Sequence, residues 1–163
     1  MPAPRLHETV IAERIVELIN ENLADVLGLK IAALGALELF PALEDLPDNV
    51  PAVFVKPAPA TNLERITTGQ TYRVSYHFRI VFVKPFGPRE QVIKTKTLET
   101  QKIAELLIDN INLDGLTLEN GQILSSMLNA IEWEPPEDNL VATINANMTA
   151  SALVFTVETT SRK

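Results

Sequence analysis

The chain has 163 residues, 46% of them hydrophobic and 21% charged, which suits a single domain spanning 1–163 that buries about two thirds of the surface its unfolded form exposes. A net charge of −7 argues against a protein that grips nucleic acid through its phosphates, and the absence of cysteine removes disulfides, thiolate nucleophiles and Cys-based zinc sites. The opening residues lack a basic segment leading into an apolar run, and no stretch of about 18 uninterrupted apolar residues occurs, so neither a secretory signal nor a membrane span is expected and the chain reads as soluble.

From His7 to about Asp25, Val10, Ile11, Ile15, Leu18, Ile19 and Leu23 recur at helical spacing, with Glu8, Glu13, Arg14, Glu17 and Glu21 on the other side. This predicts an amphipathic first helix. Leu27 to Leu39 is apolar but interrupted by Gly28 and Gly35, and reads as a short strand or a turn-rich piece. Pro41, Pro47 and Pro51 mark loop. Ala52–Lys56 is a short strand closed by Pro57 and Pro59, and Ala58–Gln70 reads as a long loop carrying Leu63, Arg65 and Ile66.

Thr71 to Val83 alternates with period two. Tyr72, Val74, Tyr76, Phe78, Ile80 and Phe82 fall on one face; Thr71, Arg73, Ser75, His77 and Arg79 fall on the other. A strand of that length spans roughly 40 Å, about twice the usual. Lys84–Pro88, with Phe86 at its tip, closes it as a turn.

A second helix follows, starting between Glu90 and Thr97 and running to about Asn110, and Asn112–Gly115 ends it with residues that tolerate left-handed backbone. Asn120-Gly121 supplies a hairpin signal between Leu116–Leu118 and Ile123-Leu124. Two strands close the chain, about Gln122–Glu134 and Leu140–Glu158, joined through Pro135-Pro136. In the last one Thr143, Asn145, Asn147, Thr149 and Ser151 are polar on one parity, which Leu153, Phe155 and Val157 then take over; a bulge or a change of environment near Ala150–Ala152 would explain the crossover.

The order predicts an α+β fold: an antiparallel sheet of about four to five strands, joined by hairpin-type links, with two helices packed on one face. The other face would carry Arg73, His77, Arg79, Glu132, Glu134, Thr143, Asn145 and Asn147.

No phosphate loop, nucleophile elbow, dinucleotide motif or His-Glu-x-x-His helix occurs. His77 has no sequence neighbour that would make it a general base. Pro135-Pro136 breaks the ligand spacing that a hard cation needs among Glu132, Glu134, Glu137 and Asp138, so pairing with Arg73 or Arg79 is the better use of those carboxylates. Lys94, Lys96 and Lys102 interleave with Glu90, Glu99 and Glu105 as a solvated helix face. The reading is of no enzyme, catalytic residue, cofactor or metal. Contact surfaces remain, with Leu63, Arg65, Ile66 and Phe86 at loop tips and Arg73, His77 and Arg79 on the polar sheet face as candidate anchors.

The acidic first helix, the proline-led strand Pro51–Val55, the long strand Tyr72–Phe82, the Pro/Gly turn, the helix ending Ile103–Leu107 and the final Leu153–Val157 together resemble the tail terminator proteins of long-tailed bacteriophages, also called tail completion or tail-to-head joining proteins. The resemblance covers most of the chain in order and length. It implies a homohexameric ring in the virion, at the tail–neck junction, assembled in the host cytoplasm. That ring would cap the tail tube protein, stop its polymerisation and offer a surface to the head–neck connector protein, while DNA passes through the channel without specific binding. Other neck or tail tube subunits share the composition, and a small α+β enzyme or ligand-binding module would need a pocket converging on His77, Arg79 or Glu132.

Overall fold

A computed structural model describes residues 6–23, 32–34, 52–58, 60–66, 71–85, 89–110, 112–137 and 148–162. Helix α1 is Glu8–Asn22, strand β1 Ala32–Leu34, β2 Ala52–Pro57, β3 Asn62–Arg65, β4 Thr71–Pro85, helix α2 Arg89–Asp109, β5 Gly121–Glu132 and β6 Met148–Arg162.

The alternation in β4 does what its period requires. Val74, Tyr76, Phe78, Ile80 and Phe82 are buried with Val53 and Val55 of β2 and Leu153, Phe155 and Val157 of β6, in one core that also takes Ile11, Ile15, Leu18 and Ile19 from α1 and Ile103, Ala104 and Leu107 from α2. Both helices therefore lie on one sheet face, as the spacing predicts. Each of those large aliphatic side chains contributes roughly 1.5–3 kcal/mol by leaving water. Burial also pushes the Tyr76 phenol above its ordinary pKa, opposed by hydrogen bonds with the His7 backbone and the Thr159 hydroxyl.

The sheet runs β1-β2-β4-β6-β5, with β3 also on β4. Among the described residues every strand pairing is antiparallel except β1 with β2, which is parallel. The α+β class is as expected, and Leu27–Leu39 does hold a short strand. The connectivity needs correcting: β4 neighbours β6, and β5 lies beyond it, because α2 carries the chain over the sheet and leaves a slot that β6 fills. β3 corrects a second expectation. Part of Ala58–Gln70 pairs with Tyr72–Ser75 of β4, along the same edge that β2 occupies further up, and the Ile66 N–H to Thr71 carbonyl bond of 3.1 Å closes the bend between them.

No bulge interrupts β6 against β4, whose register is continuous from Thr71 with Arg162 to Pro85 with Met148. The bulges are in β5, at Ile123/Ser125 and Leu128/Ala130. The parity crossover in β6 arises because both faces are buried there. Thr149 and Ser151 face α2, where Thr100 shares a 2.8 Å hydrogen bond with Ser151 and Lys96 Nζ donates to Thr149 Oγ1 at 3.2 Å. On the opposite face Ala150, Ala152 and Met148 join Ala52, Phe54, Val81 and Val83 in a second buried cluster.

Asn112 to Gly115 form one left-handed turn, with φ of 59°, 55°, 56° and 75°. Leu113 is an expensive residue there, and two things hold it: its side chain is wholly buried, and Arg14 Nε donates to its carbonyl at 3.1 Å while Arg14 Nη2 reaches Asp114 at 3.2 Å. The Asn120 turn is present, φ 57°, but its near side makes only a single bridge, Leu118 with Gly121, and is not a strand.

Candidate interaction surface

The sheet face away from the helices has two halves. Its upper half is the buried Val81/Ala152 cluster; its lower half, from Arg73 to His77, is polar. An ionic group stands at the border. Arg79 donates from Nε to Glu137 Oε1 at 2.6 Å and from Nη2 to Glu137 Oε2 at 2.8 Å, and a second contact from Nη2 reaches Glu132 Oε2 at 2.7 Å. Lys56 Nζ adds a 3.3 Å bridge to Glu137. These residues come from β2, β4, β5 and the segment after β5, so the group ties the sheet crosswise. Register puts Arg79 opposite Val154 and Glu132 opposite Ala152, so the guanidinium reaches over β6 to meet its partner.

The environment sets the charges. Burial alone would raise the Glu137 carboxyl, but hydrogen bonding and charge from Arg79, with Lys56 adding its charge, outweigh it and hold the group at about 2. The same bonds, Glu137 first and Glu132 second, hold the Arg79 guanidinium more firmly protonated than usual. Two cations and two carboxylates thus neutralise one another inside the structure, and Arg79 is spoken for internally.

Below it, His77 shares its Nδ1 with Thr156 Oγ1 at 2.9 Å and its Nε2 with Asn62 Nδ2 at 3.2 Å, while Asn129 Nδ2 donates to the same Thr156 oxygen. An imidazole with the proton on Nδ1 satisfies both contacts, donating to Thr156 and accepting from Asn62. These contacts are a hydroxyl and an amide, with no carboxylate among them. Arg73 makes a 3.6 Å bridge to Glu158, both about half exposed and so of little energetic weight.

The remaining candidates lie on the edge. All four β3 residues are exposed, including Arg65; Leu63 is 50% and Ile66 51% accessible. Phe86 lies outside the described residues. The structure therefore brings His77, Arg73 and Arg79 together on one face, with Asn62 of β3 bonded to it, and leaves Leu63 and Ile66 facing outward. Sequence reasoning did not single out Lys56, Asn62, Asn129 and Thr156. Lys56 is the one charged residue of β2, a signal present in the sequence, but the others needed the register.

Two open depressions lie at the far end of the sheet. One, of about 340 Å³, is lined by Leu118, Asn120, Gly121, Gln122, Thr160 and Arg162; its neighbour is lined by Asn112, Gly115–Leu118 and Gly121–Ile123. Neither takes in His77, Arg79 or Glu132.

No family model matches this chain, and no curated protein matches it. Among solved structures, a chain in the virion of a native gene transfer agent particle has the same fold, with a TM-score of 0.58 at 13% identity, covering 94% of this chain and 95% of that one.

Proposed function

We propose that this protein is a structural subunit of a virion and, within it, a tail terminator: a ring that caps the tail tube, stops its growth and presents the docking surface for the head–neck connector. The observation that carries the reading is the fold likeness to a virion chain over nearly the whole length of both. The order and lengths of the elements, which resemble tail terminators, support the finer assignment. The mechanism is steric and interfacial. The protein needs no turnover, and the internally neutralised Arg79 group suits a role as framework. A net charge of −7 per subunit, repeated around a pore, lets DNA pass without sticking.

Light scattering on the purified protein over a wide concentration range, with negative-stain images of the same sample, tests this. A discrete ring near six copies that shortens tail tubes when added to polymerising tube protein is the expected result. Open-ended tubes formed by the protein alone would make it a tube subunit instead. A monomer that leaves tube length unchanged would overturn the terminator reading.

A further inference from the structure

We infer that neighbouring copies join head to tail through two strand edges, the outer edge of β3 on one copy and the Gln122–Ser125 stretch of β5 on the next, so that the sheet runs on from subunit to subunit. This rests on the ring reading above and names the surface that would build it.

Three observations carry it. Among the described residues, β3 pairs with β4 and β5 with β6 and, at Gly121, the Leu118 bridge, so the lower sheet runs β3-β4-β6-β5 with no described strand beyond Asn62–Glu64 on one side or Gln122–Ser125 on the other. Successive strands there are antiparallel, so β3 points opposite to β5, and a copy placed alongside meets it as an antiparallel partner.

The two edges also lie at the same height. Register carries Glu64 through Arg73 and Thr160 to Gln122, and Asn62 through Ser75 and Glu158 to Ser125. Side-by-side copies would pair these edges with no shift along the strands, and a repeated head-to-tail contact makes a ring where its rotation closes.

The side chains match as well. Glu64 and Asn62 would stand beside Gln122 and Ser125, polar with polar, on the helix-free face. Leu63, 50% exposed, would stand beside Leu124, 41% exposed and extruded by the β5 bulge. An open edge normally carries guards against such pairing; Glu64 and the β5 bulge fill that role and restrict the contact to a partner that accommodates both.

The absence of cysteine gives a direct test. Glu64→Cys and Gln122→Cys would be made singly and together in the full chain, oxidised mildly with diamide and run on non-reducing gels. Within one chain these positions are three strand spacings apart, about 14 Å, too far for a disulfide. The double variant is expected to give a ladder of covalent multimers that ends at the ring size and disappears with reductant, while each single variant stays monomeric on the gel. Leu124→Lys added to the double variant is expected to cut the ladder at least tenfold with an unchanged circular dichroism spectrum. A ring seen by light scattering with no ladder from the double variant would overturn the edge pairing and leave the ring reading standing. Dimers from a single variant would mean that like edges meet and would also overturn it. A parent protein that forms no ring would overturn both.

Discussion

Arg79 and Glu137 are joined by two parallel hydrogen bonds, of 2.6 and 2.8 Å, although they lie 58 positions apart and on no common strand. Glu132 meets the same guanidinium from the edge strand with a side chain 36% exposed, against 6% for Glu137. The two carboxylates therefore differ in weight. Glu137→Gln is expected to cost roughly 2–4 kcal/mol, because it leaves a mostly buried cation with only part of its compensation. Glu132→Gln should cost less than about 1 kcal/mol. Urea denaturation of both variants checks the ordering, and equal losses would contradict it.

Acid should weaken the fold through the same group. The Glu137 carboxyl sits at about 2 in the folded protein against an ordinary 4.5. Since the folded value is the lower, its contribution is fully present above pH 4.5 and disappears as pH falls toward 2. A shift of that size corresponds to about 3 kcal/mol. Denaturation series between pH 5 and pH 2 should show a loss of this order in the parent chain and a flatter profile in Glu137→Gln.

Two glycines should respond to alanine for different reasons. Gly115 has φ +75° with open space around it, so Gly115→Ala is expected to cost about 1 kcal/mol of backbone strain. A Cβ on Gly121 would stand 2.8 Å from the Thr160 carbonyl and 3.1 Å from His7 Cε1, so Gly121→Ala should cost roughly 1–3 kcal/mol through crowding. Asparagine separates the causes: it is tolerated better than alanine at 115, where left-handed backbone is needed, and is at least as harmful at 121. Thermal melts of the four variants provide the comparison.

Leu63→Asp with Ile66→Asp should leave stability within about 0.5 kcal/mol, since both side chains are half exposed. Assembly should need roughly tenfold or more protein, the scale expected when interface anchors are lost. Light scattering against concentration reads the shift. Unchanged assembly would remove both residues from the contact surface.

How much of this was legible in the sequence depended on the range of the forces involved. The β4 face pattern and the α1 stripe are written in consecutive residues, and burial of one side of each was enough to set them. The left-handed end of α2 was legible too, because Asn, Asp and Gly tolerate that backbone, although Leu113 in the same turn was not explained until Arg14 and the core were in view. β3 carries no alternation, since all four of its residues are exposed; it is a strand only because β4 has spare edge below β2. The sequence left Glu132 and its neighbouring carboxylates a choice of Arg73 or Arg79; the sheet register and the position of Glu137 after Pro135-Pro136 decide for Arg79. The insertion of β6 between β4 and β5 leaves no local trace in any of the three strands.

That insertion has a kinetic consequence. The uninterrupted ladder between β4 and β6 joins residues from 63 positions apart, Pro85 with Met148, to 91 apart, Thr71 with Arg162. The centre of the sheet cannot zip locally from a turn; the chain must close a long loop before the first rung forms, and closure entropy delays it. α1, α2 and the β2–β4 pairing can all be in place on the ribosome while the slot beside β4 still waits for the last strand. Until β6 arrives, the β4 edge from Thr71 to Pro85 stays unpaired on that side, and folding in the millisecond-to-second range is the expected outcome.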